Sequence, residues 1–195
     1  MPSSLLKFEK KLSVKIGGRR YPVVKIGNQL WLAENLDWKW DGLIIGENVG
    51  SSPRANYYNN DEITYGINGY DCGLLYNFSA VQELGNLLSD GWHIPSNNEW
   101  EELIISTQDT NNAAYLLSNG NIEWASNWSG ENMFGFNMKP CGQRYGSNGG
   151  FYEIGSNILY WDSSRYAYYR NGTKFLRDYC TNNSQYYIRL VKSIE

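Results

Sequence analysis

The sequence predicts an α+β domain with short antiparallel strands, two or three helices and long loops. Three observations carry that prediction. Short β-branched or aromatic runs, broken by Gly and Asn, occupy both ends of the chain. The middle holds apolar residues at helical spacing behind a capping signal. The length, 195 residues, suits one sizeable core and is short for two. Residues 1–13 therefore read as an N-terminal extension and residues 14–195 as a single domain, with no low-complexity linker dividing it.

In chain order, Val14-Lys15-Ile16-Gly17 and Val24-Lys25-Ile26-Gly27 echo each other. Gly18, Arg19 and Arg20 lie between these runs and read as the turn of a hairpin. Gln29-Leu30-Trp31-Leu32 extends the apolar pattern as a further strand. From Asp41 to Tyr70 the chain is rich in Gly, Asn and Ser and reads as long loops. Gly73-Leu74-Leu75-Tyr76-Asn77-Phe78 reads as a strand, and Ser79 to Leu88 as a helix. Ser96 is placed to cap the next helix, with Glu99 three residues on to bond back to the cap. Trp100, Leu103 and Ile104 then share one stripe. Asn112 to Leu117 reads as a short third helix, and from Phe134 onward the pattern is that of an antiparallel sheet with many loops.

Composition excludes several classes. Aromatic residues are 15% and charged residues 19%, the reverse of a disordered chain. No apolar run approaches the ~20 residues of a membrane span, so no membrane insertion is expected. From Met138 onward there are eight Lys/Arg against four Asp/Glu, or +4; the preceding part has nine against 16, or −7. The basic part lacks a dense Lys/Arg cluster, so no nucleic-acid partner is expected. The opening MPSSLLKFEKKLSVKIGG lacks an apolar core of signal-peptide type, and synthesis in the cytoplasm is expected. Cys72, Cys141 and Cys180 are odd in number, scattered and without CxxC spacing, which reads as three reduced thiols.

Several motifs occur together in order. Val24-Lys25-Ile26-Gly27-Asn28-Gln29, Trp31 and Ala33-Glu34-Asn35-Leu36 open the series. Gly73 to Phe78 and Gly91-Trp92-His93-Ile94-Pro95-Ser96 with Glu99-Trp100 follow. Phe134-Gly135-Phe136, Pro140-Cys141-Gly142-Gln143-Arg144-Tyr145, Tyr160-Trp161-Asp162-Ser163-Ser164 and Ile188-Arg189-Leu190-Val191-Lys192 complete it. This order and spacing, from about Val14 to Lys192, resembles the Fibrobacter succinogenes major paralogous domain. The chain departs from that pattern at Cys141, where Gly is usual, at Asp162, where Ser is usual, and at Leu190, where Cys is frequent. The resemblance implies a C-type-lectin-like fold, related to the formylglycine-generating enzyme and to variable proteins of diversity-generating retroelements. In those variable proteins the diversified residues lie near the C-terminus, on one face of the fold.

Catalytic chemistry finds little support in the residues. His93 is the only histidine and is flanked by Trp92 and Ile94, as in a packed, hydrogen-bonded side chain. No GxSxG elbow supplies a nucleophile. The three cysteines do not match the copper-holding pair of the formylglycine-generating relatives. Asn59-Asn60-Asp61-Glu62 is oxygen-rich but reads as a solvated loop rather than a calcium site. No catalytic residue, metal or cofactor is therefore expected.

The C-terminal stretch is different. From Tyr145 to Tyr187 it holds nine of the 16 tyrosines, among Asn, Ser, Gly and Arg. Tyr gives large amphipathic contact area at low entropy cost, and Ser, Gly and Asn give adaptable hydrogen bonding, as in antibody paratopes. The candidate ligand-binding residues are Tyr152, Asn157, Tyr160, Asp162, Arg165, Tyr166, Tyr168, Tyr169, Asn171, Asp178, Tyr179, Asn182, Asn183 and Tyr186. Strand alternation divides such a set between two faces, so part of it belongs to the core. Trp161, Ala167, Arg177 and Arg189 read as framework. Mutating the adenines of an AAC codon yields Asn, Tyr, Ser, Asp, Thr, Arg or Cys without a stop codon. Asp178-Tyr179-Cys180-Thr181-Asn182-Asn183-Ser184 matches that set, although loops are rich in Asn and Ser for other reasons too.

The expectation is a non-enzymatic adhesin or receptor-binding protein, recognising a bacterial surface protein or glycan through this face. A phage or prophage origin, display on a virion tail or cell surface, and a homo-oligomer are compatible with it. The alternatives are a formylglycine-generating-type oxidase and a structural surface or virion subunit.

Overall fold

A computed structural model of the chain describes residues 12–46, 50–181 and 183–194. Most of the expected N-terminal extension, and Asn182, lie outside the described residues. The domain begins with β1 (Ser13–Ile16), β2 (Arg19–Ile26) and β3 (Gln29–Leu32), paired antiparallel in sequence order. The first turn is Gly17-Gly18, not Gly18 to Arg20. Gly17 has φ +56°, and a Cβ there would run into the Trp38 ring, so the turn falls where glycine permits it. Arg19 is instead a strand residue, ion-paired to Glu34 at 2.6 Å and Asp71 at 3.2 Å.

The stretch expected as loops between Asp41 and Tyr70 also carries short elements. They are β4 (Ile44–Ile45), β5 (Arg54–Asn56) and α1 (Glu62–Tyr65), the last capped by Asp61, whose carboxylate accepts from the Thr64 N–H. β6 (Leu75–Asn77) runs into α2 (Phe78–Leu87), where the Asn77 side chain accepts from the Ala80 N–H at 3.0 Å. α3 (Asn97–Ser106) carries the expected capping box: the Ser96 N–H donates to Glu99 at 2.8 Å and the Glu99 N–H to Ser96 Oγ at 3.3 Å. α4 (Ala113–Leu117) follows.

The remainder is strand and loop: β7 (Cys141–Arg144), β8 (Phe151–Ile154), β9 (Leu159–Trp161), β10 (Tyr166–Asn171), β11 (Lys174–Tyr179), β12 (Gln185–Tyr186) and β13 (Val191–Ser193). Among the described residues these strands form three sheets, in the orders β1-β2-β3-β13, β4-β5-β6-β12-β7-β8 and β11-β10-β9. The β3–β13 pairing, with Trp31 opposite Val191, ties the start of the domain to its end. The class is α+β. No helix among the described residues is long and apolar enough to cross a membrane.

The interior explains why the recurring motifs are aromatic and polar together. Trp31, Trp100, Phe136 and Tyr160 are fully buried and in mutual ring contact. Gln29 accepts from Trp31 Nε1 at 2.9 Å and donates to the Glu99 carbonyl at 3.1 Å, which joins β3 to α3. Arg189, 1% exposed, donates to Asn35 Oδ1 at 2.7 Å and to the carbonyls of Leu32, Phe136 and Asn137. Burial pulls its guanidinium below its ordinary pKa, and carbonyl dipoles take the place of a direct counter-ion.

Candidate functional site

Cys72 and Cys141 are bridged by a disulfide, with Cα atoms 5.6 Å apart and both residues fully buried. The expectation of three reduced thiols is thereby corrected. Sixty-nine residues separate the pair in sequence, so only tertiary packing brings the sulfurs together. Cys180 is free and buried, and burial pushes its thiol up to about 11. His93 is hydrogen-bonded as expected, Nδ1 to the Gly91 carbonyl at 2.8 Å and Nε2 to Glu99 at 2.5 Å, but its side chain is 43% exposed rather than packed. In the acidic run, Asp61 caps α1 and Glu62 pairs with Lys39 at 2.9 Å.

β9, β10 and β11 form the scaffold of the candidate face. Tyr168 pairs with Tyr160 on one side and Arg177 on the other, while Tyr169 pairs with Leu159 and Leu176. Alternation sends Tyr160 and Tyr168 inward against α3: Tyr168 stacks on Trp100 with centroids 5.1 Å apart, and Tyr160 lies 5.6 Å from it. Tyr160 is 0% and Tyr168 4% exposed, and burial pushes the Tyr168 hydroxyl up to about 12. Asp162 is also 0% exposed. One oxygen accepts from the Ser164 and Tyr166 N–H groups and the other from Arg177. These three leave the candidate set, because their polar groups are buried and already hydrogen-bonded within the domain.

The opposite phase of the same strands faces a pocket of about 290 Å³. Leu159, Ala167 and Tyr186 line its inner part, Tyr169 and Asp178 one side, and Tyr179, 57% exposed, its edge. Tyr186 is 5% exposed and packs on Trp161 at 4.6 Å, so it serves as floor rather than as a free contact. The facing wall comes from the β7–β8 hairpin and the turn after it, through Gln143, Tyr145, Glu153 and Asn157. Gly142 (φ +75°) lies beside Gln143, and a Cβ there would meet the Tyr152 carbonyl and the Tyr58 ring. Glu153 itself holds φ +64°, an uncommon backbone for a residue with a side chain.

The remaining candidates are dispersed. Tyr152 is exposed on the hairpin and packs on Tyr145 at 4.9 Å. Tyr166 is half-buried beneath the Arg177 guanidinium at 3.7 Å and beside Tyr179 at 5.4 Å. Asn171 is exposed at the tip of the β10–β11 hairpin. Arg165 (φ +71°) and Asn183 (φ +70°) line a second hollow with Phe78 and Ser79 at the start of α2. The sequence reading thus missed Gln143, Tyr145 and Glu153 as site residues. Gln143 and Tyr145 stand in the motif Pro140 to Tyr145, which was a signal for them; Glu153 has none but its isolation as a carboxylate among tyrosines.

No curated protein and no solved structure matches the chain at a significant level. The model of the Fibrobacter succinogenes major domain matches residues 24–192. That span holds β3 to β12, the buried Arg189–Asn35 contact and every residue lining the pocket, and on it the chain belongs to the Fibrobacter succinogenes major domain family.

Proposed function

We propose that the chain is a non-enzymatic ligand-binding protein of adhesin or receptor-binding type, with a C-type-lectin-like fold and a C-terminal recognition face. One observation carries this reading: the β7–β8 and β10–β11 hairpins, which belong to different sheets, both line a single pocket together with Tyr186, so that Tyr145, Tyr169, Tyr179 and Tyr186 surround it. Aromatic rings with polar handles around a preformed hollow are a general recognition chemistry. The pairing of N-terminal β3 with C-terminal β13 inside one sheet supports the lectin-like fold. Exposed Asn171, Asp178 and Tyr179 are positions where substitution leaves the core untouched, as diversification by adenine mutagenesis would require. The ligand is a bacterial surface component. The Cys72–Cys141 bridge supports a working place outside the reducing cytoplasm.

The test is binding of fluorescently labelled protein to intact bacterial cells by flow cytometry. Tyr179→Ala and Tyr169→Ala lower cell binding about tenfold, as hot-spot aromatics do. Ile63→Ala, on the exposed face of α1, leaves it unchanged. Equal binding by all three variants overturns the reading. A neighbouring reverse-transcriptase gene with a template repeat differing only at adenines tests the diversification separately.

A further inference from the structure

Resting on that reading of the face, we infer that the pocket takes the cationic side chain of a lysine or arginine presented by a protein partner. The donors and acceptors of its walls are used unevenly. Gln143 Nε2 donates to Glu153 Oε2 at 2.6 Å, and Asn157 Nδ2 donates to the same oxygen at 3.3 Å. Asn157 Oδ1 accepts from the Ile158 N–H. Asp178 Oδ1 accepts from the Tyr179 N–H at 2.8 Å. Each amide thus spends one N–H on the Glu153 carboxylate. Glu153 Oε1, Asp178 Oδ2 and Gln143 Oε1 are the acceptors left over, and two of them belong to carboxylates.

Gln143 supplies the independent sign that a ligand belongs here. It is 3% exposed, and its buried Oε1 has no hydrogen-bond partner among the described residues. A buried acceptor left without a donor is costly, so such an atom at a pocket wall calls for a donor that arrives from outside.

Charge gives the donor its sign. Glu153 and Asp178 line the pocket, and no Lys or Arg does. This is so although the C-terminal stretch is basic overall: several of its cations are engaged elsewhere, and Arg165, whose guanidinium lies 5.8 Å from the Tyr179 ring centre, lines the neighbouring hollow. Arg189 is buried among carbonyls, Arg177 is paired with Asp162, Arg170 lies over Trp128 at 4.1 Å, and Lys139 pairs with Asp71 at 3.3 Å. Two carboxylates repel an anion. A neutral sugar gains nothing from the two negative charges, whereas a cation gains from both. An ammonium with three N–H groups, or a guanidinium with five, matches a set of acceptors. The rings of Tyr145, Tyr169 and Tyr179 suit the same cation, and Leu159 and Ala167 offer an apolar floor to its methylene stem.

The experiment titrates the isotope-labelled full chain with four probes, following amide shifts in β8, β10 and β11 by NMR. The probes are Nα-acetyl-lysine methylamide, Nα-acetyl-arginine methylamide, the neutral isostere Nα-acetyl-norleucine methylamide, and glucosamine. The lysine and arginine amides shift Glu153, Asp178 and Tyr179, and the norleucine amide binds about tenfold more weakly or worse. Asp178→Asn raises the Kd for both cationic amides about fivefold, with the rest of the spectrum unchanged, and high salt weakens them similarly. Equal affinity for norleucine and lysine amides overturns the cationic specificity. Tighter binding of glucosamine than of either amide makes the occupant an amino sugar and overturns the protein partner. If no probe shifts the pocket while Tyr179→Ala abolishes cell binding, this inference falls and the recognition face stands. If no probe shifts it and cell binding ignores Tyr179→Ala, both fall.

Discussion

Arg177 holds Asp162 with two donors on one oxygen: Nε at 2.8 Å and Nη2 at 2.7 Å both meet Oδ2 of a carboxylate that is fully buried. The other oxygen organises the Ser164–Tyr166 turn that launches β10. The pair therefore fixes the β10–β11 hairpin, and with it Tyr169 and Asp178, against the body of the domain.

Asp162→Ala is expected to cost about 3 kcal/mol, because it strips Arg177 of its partner and leaves two turn N–H groups unmade. Urea unfolding followed by tryptophan fluorescence measures it. Asp178→Asn, an exposed carboxylate sixteen positions along, changes stability by less than about 0.5 kcal/mol. Similar losses in the two variants would show that Asp162 has no anchoring role.

Arg189→Met is expected to destabilise the fold by about 3 kcal/mol or more, since four acceptors on Asn35, Leu32, Phe136 and Asn137 lose their donor inside the core. Arg189→Lys rescues little, because an ammonium cannot reproduce the planar fork. Thermal unfolding of both variants checks this; full rescue by Lys would refute it.

His93 and Glu99 make stability depend on pH at both ends. Its hydrogen bond to Glu99 outweighs burial and raises the His93 pKa above the ordinary 6.5. A raised folded value means that the contribution is complete below about 6.5 and disappears as pH rises through the folded pKa. Burial alone would raise Glu99, but hydrogen bonds from His93 and Ser96 hold it down at about 2. Its contribution is present above the ordinary 4.5 and is lost as pH falls towards 2. The urea midpoint should thus decline on the alkaline side, and His93→Gln should flatten that limb. An unchanged limb in His93→Gln would assign the dependence to other groups.

Thiol titration of the denatured, unreduced protein should find one free thiol, that of Cys180. Cys72→Ser/Cys141→Ser should lower stability by about 4 kcal/mol, from the chain entropy released when a loop of this length opens. Three titratable thiols would refute the bridge.

Local rules made much of the fold legible. The capping box at Ser96 and Glu99, the stripe from Trp100 and the strand at Gln29 to Leu32 depend on neighbours within four residues, and the structure carries each of them. The hairpin turn was displaced by one residue or two because Gly17 answers to Trp38, a contact outside the local window. The candidate face was legible only as a composition. Alternation said that about half of its tyrosines turn inward, but the phase of that alternation is set by what packs beneath, here Trp100 on α3.

The sequence by itself determined the family, the α+β class and the region richest in recognition chemistry, because motif order and local periodicity are written along the chain. The tertiary structure alone decided which residues meet. It buried Tyr160, Tyr168 and Asp162, joined Cys72 to Cys141 across 69 residues, and set Gln143 and Glu153 opposite Tyr169 and Asp178. It also turned a basic stretch into an acidic pocket. Net charge is additive along a chain, whereas the field in a hollow depends on which side chains line it, and no lysine or arginine lines this one.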